Sequence, residues 1–167
     1  MKRKLVHAYM DTAHRFAELS TARRLHVGAI VVKDDRIISI GYNGMPAGWE
    51  NNCEDREYPN ELMRDYEQHY DEFDSMFPLV DEEGKCYRLK TKPEVLHAES
   101  NAIAKLAKSN ESGDGASIFI THAPCIECAK LIYQSGIQEV YYKEAYRNAH
   151  GIDFLRQCDI KIEQIKE

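Results

Sequence analysis

Over residues 3 to 19, Leu5, Tyr9, Thr12, Ala13, Phe16 and Leu19 recur at three- and four-residue intervals, the spacing of one buried helical face. A first helix is predicted there. The stretches "VGAIVV" (27 to 32) and "RIISIGY" (36 to 42) are rich in β-branched residues and flank the polar turn Lys33, Asp34 and Asp35, so they predict a hairpin. "GYNGMPAG" (41 to 48), with three glycines and a proline, predicts an irregular loop offering several positive-φ positions. Residues 50 to 92 are charged, yet Leu62, Met63, Tyr66, Tyr70, Phe73 and Phe77 keep a helix-like spacing. They are read as an insertion carrying a short helix, the alternative being a largely solvated loop.

From His97 onward the pattern becomes regular. "AESNAIAKLAKS" predicts a helix broken by Gly113 and Gly115, and "ASIFIT" (116 to 121) a buried strand. "CAKLIYQSG" predicts a helix stopped by Gly136, "IQEVYY" a strand, "GIDFLRQC" a short helix and "DIKIEQI" a last strand. Helices alternating with strands after a hairpin imply an α/β fold, a mixed sheet in three layers.

At 167 residues the chain has the size of one domain, spanning 1 to 167 with the acidic insertion at about 50 to 92. No apolar run approaches the roughly 20 residues that cross a bilayer, and the start "MKRKLVHAYMDTAHRF" lacks the features of a secretory signal. A cytoplasmic location is therefore expected. Five cysteines, two of them in a tight pair, suit a compartment where thiols bind metal better than they suit a disulfide framework. The net charge of −6 speaks against a nonspecific nucleic-acid binder. Residues 54 to 83 hold 12 acidic and 2 basic side chains, which leaves +4 elsewhere, enough to accommodate a phosphate.

The chemistry-bearing stretches are "LHAES" (96 to 100) and "APCIEC" (123 to 128). A catalytic zinc uses three protein ligands and keeps one position open, and His97, Cys125 and Cys128 supply that number. His97 opens one predicted helix and the cysteines open another, with Pro124 just before or in its first turn. The partial positive charge of both helix starts favours thiolate and a bound hydroxide. Glu99, two residues past the histidine, is better placed to move protons than to act as a fourth ligand.

His97-Ala98-Glu99 followed by Pro124-Cys125-Ile126-Glu127-Cys128 matches the zinc-deaminase signature. Together with "VGAIVV", "GYNGMPAG", "HAESNAI" and "PCIECAKLIYQSGI", it makes the chain similar to the deoxycytidylate (dCMP) deaminase family, over residues 20 to 53 and 95 to 146. The resemblance implies a cytidine-deaminase-like fold with a central five-stranded sheet, and conversion of dCMP and water to dUMP and ammonia. Zinc hydroxide would attack C4, with Glu99 protonating N3 and then the departing amine. It further implies that the Ala98 amide meets the pyrimidine carbonyl, that Asn43 contacts the sugar and that Tyr146 contacts substrate. Family members are often hexamers activated by dCTP and inhibited by dTTP. Arg24, Gly41, Asn43 and Gly44 are the counterparts of that effector site, with magnesium accompanying dCTP. Some members hold a second, structural zinc. Here only Cys53 matches its ligands: Ala22 and Val95 stand at two ligand positions, Cys86 is one place off, and His26 or His69 would have to substitute. One catalytic ion is the expectation.

Competing readings exist for each residue. A CxxC after a strand also describes a thioredoxin-like redox site, and three donors could belong to a structural zinc module. Glu99 could be a first-turn helix charge, Asn43 a left-handed backbone position, Tyr146 a packing aromatic and Arg24 a solvated charge. Cys158 reads as a small core residue, and His7, His14, His122 and His150 as surface or helix-packing side chains. Among deaminases the rivals act on tRNA, single-stranded DNA, or cytidine and other free nucleosides or bases; a basic, aromatic-lined channel would mark the nucleic-acid class.

Overall fold

The computed structural model describes residues 1–59, 75–146 and 148–166. Its first amphipathic stretch is helix α1 (Arg3–Ala17). The helix stops at Ala17, short of the predicted limit, so Leu19 falls outside the buried face and is 55% exposed. The predicted hairpin forms from β1 (Gly28–Lys33) and β2 (Arg36–Tyr42). Asp34 and Asp35 turn it with φ of +50° and +57°, the left-handed pair that matches the twist of two-residue hairpins.

Beyond the insertion the order is α2 (Ala98–Leu106), β6 (Ser117–His122), α3 (Ile126–Gln134), β7 (Glu139–Glu144), α4 (His150–Gln157) and β8 (Lys161–Gln164). The strands make one mixed sheet, β2-β1-β6-β7-β8, antiparallel through β6 and parallel from β6 to β8. Successive strand residues point to opposite faces, and the core divides accordingly. Ile30, Val32, Phe119 and Tyr141 pack with Val6, Tyr9, Met10 and Ala13 of α1. Ala29, Val31, Ile118, Ile120 and Val140 pack with Ala98, Ala102, Ala129, Ile132 and Leu155 of the other helices. The result is the expected three-layer α/β arrangement, in which α2 and α3 share one face of the sheet.

Residues 50 to 92 depart from expectation. Their described part is a second, antiparallel sheet built from β3 (Glu54–Glu57), β4 (Leu79–Val80) and β5 (Cys86–Thr91), in the order β3-β5-β4. Ionic pairs lie across it, Glu57 with Arg88 and Arg56 with Glu82 among them. The helix predicted from Leu62, Met63, Tyr66, Tyr70 and Phe73 lies outside the described residues. Phe77 is buried, with the Arg88 guanidinium 5.3 Å above its ring. Among the described residues no helix is long and apolar enough to cross a membrane.

Candidate active site

Two helix starts converge on the same side of the sheet. His97 is the N-cap of α2 and Cys125 the N-cap of α3, both with extended backbone, and neither side chain makes a capping hydrogen bond. A side chain that does not cap its own helix is free to point elsewhere, and these two point at one another. His97 Nδ1 lies 3.6 Å from Cys125 Sγ and 3.4 Å from Cys128 Sγ, and the three donor atoms fall within 4.8 Å of one another. Two sulfurs and an imidazole at that spacing fit a tetrahedral zinc with one open position. It is the one such donor cluster among the described residues.

The protonation pattern agrees with that fit. Cys125 is pushed down to about 3, first by its hydrogen bond with Cys128 and further by His97, against the opposing effect of burial. Cys128 moves up because it hydrogen-bonds Cys125, is desolvated, and lies near the negative charges of Glu99 and Cys125. A cation bound here would take both sulfurs as thiolates. Glu99, on the first turn of α2, is 5% exposed, and burial pushes its carboxyl up to about 7, into the range of a group that can both take and give a proton near neutrality.

A cavity of about 490 Å³ opens in front of these groups, within the size range of small-molecule sites. His97, Ala98, Glu99 and Cys125 line it, as do Asn43, Tyr146 and Arg24. Asn43 has no left-handed backbone. Its side chain accepts from Val27 N (2.8 Å) and donates to Leu25 O (2.8 Å), so it braces the entrance to β1 while facing the cavity. Tyr146 is 41% exposed at the cavity's edge. Gly41 and Gly44 are not lining residues. Gly44 exchanges backbone hydrogen bonds with Leu96, and Gly41 packs against α2. Within one chain the four effector counterparts therefore separate, Arg24 and Asn43 facing the catalytic cavity.

The positions compared with a second zinc form an apolar contact instead: Ala22, Cys53 and Val95 are buried together beside Met45. His26 is engaged with the carbonyl of Ala22 at 2.7 Å, Cys86 lies in β5, and His69 is outside the described residues.

Sequence reasoning passed over several lining residues, His122, Glu54 and Thr91 among them. His122, read as a surface or packing histidine, faces the cavity, contacts Thr121 Oγ1 through Nδ1 at 3.0 Å and pairs in register with Glu144. Its alternation with Ile118 and Ile120 assigns it to the face of the catalytic helices, a signal present in the strand period. Glu54 and Thr91, from the insertion, also line the cavity, and no sequence pattern marks them. On the opposite side Gly151 of α4 lies against the Pro124–Cys125 turn, where a Cβ would stand 2.1 Å from Pro124 O.

The model of the cytidine and deoxycytidylate deaminase zinc-binding region matches residues 3–144. The chain is 35% identical to the deoxycytidylate deaminase of Enterobacteria phage T4, over 92% of this chain and 86% of that one. It is 36% identical to ComE operon protein 2 of Bacillus subtilis, over 95% and 69%. The crystal structure of dCMP deaminase from the cyanophage S-TIM5 in complex with dCMP and dUMP aligns with a TM-score of 0.75 and 39% identity, covering 99% of both chains. Sequence signature, donor geometry and fold agree, and the chain belongs to the cytidine and deoxycytidylate deaminase family, whose zinc-binding region it carries.

Proposed function

We propose that the chain hydrolyses the 4-amino group of dCMP, giving dUMP and ammonia. The observation that carries this reading is the meeting of His97, Cys125 and Cys128 beside buried Glu99 at one cavity. Its support is the likeness to a dCMP deaminase whose structure holds dCMP and dUMP. His97, Cys125 and Cys128 would hold a zinc, which when bound would supply a water acidified to near neutrality. Glu99 takes the proton of the attacking water and delivers it to N3; a second proton passes through the same carboxyl to the amine as the C4–N bond breaks. The Ala98 amide, at a helix start where backbone N–H groups have no partner within the helix, donates to the pyrimidine carbonyl. Asn43 and Tyr146 meet the sugar and the rest of the nucleotide.

We propose further, from the resemblance to dCMP deaminases, control by dCTP and dTTP within a homo-oligomer, a hexamer, with magnesium bound alongside dCTP, in one domain with one catalytic zinc. A panel of dCMP, dCTP, deoxycytidine, cytidine and a single-stranded oligonucleotide, read by ammonia release, tests the reading. Preferred turnover of dCMP is expected; turnover confined to nucleosides or to the oligonucleotide contradicts it. Rates that turn from sigmoidal to hyperbolic on adding dCTP would accompany the regulated form.

A further inference from the structure

We infer that His122 offers an N–H donor to the C5 edge of the pyrimidine and makes the chain favour cytosine nucleotides whose 5-substituent accepts a hydrogen bond. The inference rests on the proposed deamination of dCMP.

The end of β6 fixes which ring nitrogen carries the hydrogen. Thr121 is wholly buried, and its hydroxyl accepts from Gly28 N at 3.1 Å. The hydroxyl's own hydrogen needs an acceptor, since a buried donor without one is costly. The acceptor within reach is His122 Nδ1, 3.0 Å away. A neutral imidazole that accepts at Nδ1 bears its hydrogen at Nε2. Burial favours that neutral form by pushing the ring below the ordinary histidine value, with His14 adding to the effect and Glu144 opposing it.

Among the described residues the Thr121 contact is the one hydrogen bond of the His122 side chain. Glu144, its register partner on β7, lines the same cavity without pairing with it. Nδ1 is turned to the buried hydroxyl, so Nε2 is the nitrogen left to the open side, an unpaired donor at the cavity wall.

The ring edge it meets follows from the proposed reaction. The Ala98 amide takes the carbonyl at C2, Glu99 serves N3 and the 4-amino group, and the metal donors belong at C4. Ala98 and Glu99 stand on α2 whereas Cys125 and Cys128 open α3, so the progression from C2 through N3 to C4 runs from one helix toward the other. The next ring atom, C5, then falls at the connection leading into α3, where His122 and Ala123 line the cavity. Ala123 has no polar side-chain atom, which leaves His122 as the donor at that edge. A 5-methyl group would desolvate the N–H without pairing it, and a 5-hydroxymethyl oxygen would accept from it.

The experiment compares kcat/KM for 5-hydroxymethyl-dCMP with that for 5-methyl-dCMP in the zinc-loaded chain and its variants. The parent should prefer the hydroxymethyl nucleotide by roughly 3–10-fold, the worth of one neutral hydrogen bond. His122→Leu should lose that preference and His122→Gln, which keeps a donor, should retain part of it; a loss of packing alone would slow both substrates alike. Independently of turnover, nitrogen-15 NMR at neutral pH, with the His122 signals identified by their absence from His122→Leu, should show hydrogen on Nε2 and none on Nδ1. The opposite tautomer overturns the inference. So does the same preference in the parent and in His122→Leu when the parent deaminates dCMP, whereas a parent that deaminates none of these nucleotides removes the proposed function together with it.

Discussion

Gly41 of β2 and Ala98 of α2 stand so close that a Cβ added to the glycine would lie 2.1 Å from the alanine's carbonyl oxygen and 2.7 Å from Ala102 N. Ser39 Oγ donates to Ala102 O at 2.6 Å and Asn101 Nδ2 to Tyr42 O at 2.8 Å along the same seam. The edge strand of the sheet thus holds α2 at backbone contact, and α2 carries Glu99 and begins at His97. Gly41, which the resemblance assigns to effector binding, also makes a packing contact behind Glu99.

Gly41→Ala should therefore destabilise the fold by about 1–3 kcal/mol, as overpacking does, and lower turnover by displacing α2. Thermal denaturation together with initial rates in the absence of any effector checks this. A parental melting temperature in the variant would contradict the packing role.

Glu99→Gln keeps the shape of the side chain and removes its ability to carry a proton. Turnover should fall by roughly 10²–10⁴-fold, the usual worth of a positioned acid-base group, with the zinc content unchanged. Ammonia release beside elemental analysis measures both; full activity in the variant would remove the carboxyl from the proton path.

Far from the cavity, Glu139 ties three strands together. It accepts from Ser117 Oγ at 3.0 Å, Tyr141 Oη at 2.9 Å and Lys161 Nζ at 2.9 Å. Burial alone would raise its carboxyl, but the hydrogen bonds from Lys161, Tyr141 and Ser117 together hold it below its ordinary value of 4.5. A carboxyl lowered in the folded state adds stability above its unfolded pKa and loses it as pH falls through the folded one. Glu139→Gln should be less stable than the parent at neutral pH, and the gap should close below about pH 4.5. Denaturant unfolding at pH 7 and pH 3.5 tests this; a constant gap would contradict it.

The elements that strand and helix periodicity revealed are those with one apolar face, namely α1, the hairpin and the alternating elements from α2 to β8. The second sheet stayed hidden because its strands carry charges where alternation should be apolar. "EDRE" and "CYRLKT" are joined instead by pairs such as Glu57 with Arg88, which only the register brings together. The metal donors and Glu99 could be read because their spacing follows helix geometry. Glu54 and Thr91 could not, since they meet Arg24 at the cavity only through the approach of β3 and β5 to the turn after α1.

The central claim is that His97, Cys125 and Cys128 form one metal site. Metal content per chain, measured on purified protein and on Cys128→Ala prepared in parallel, tests it most directly. One zinc per parental chain and none retained by the folded variant is the predicted result; a folded Cys128→Ala that keeps zinc at the parental level would contradict it.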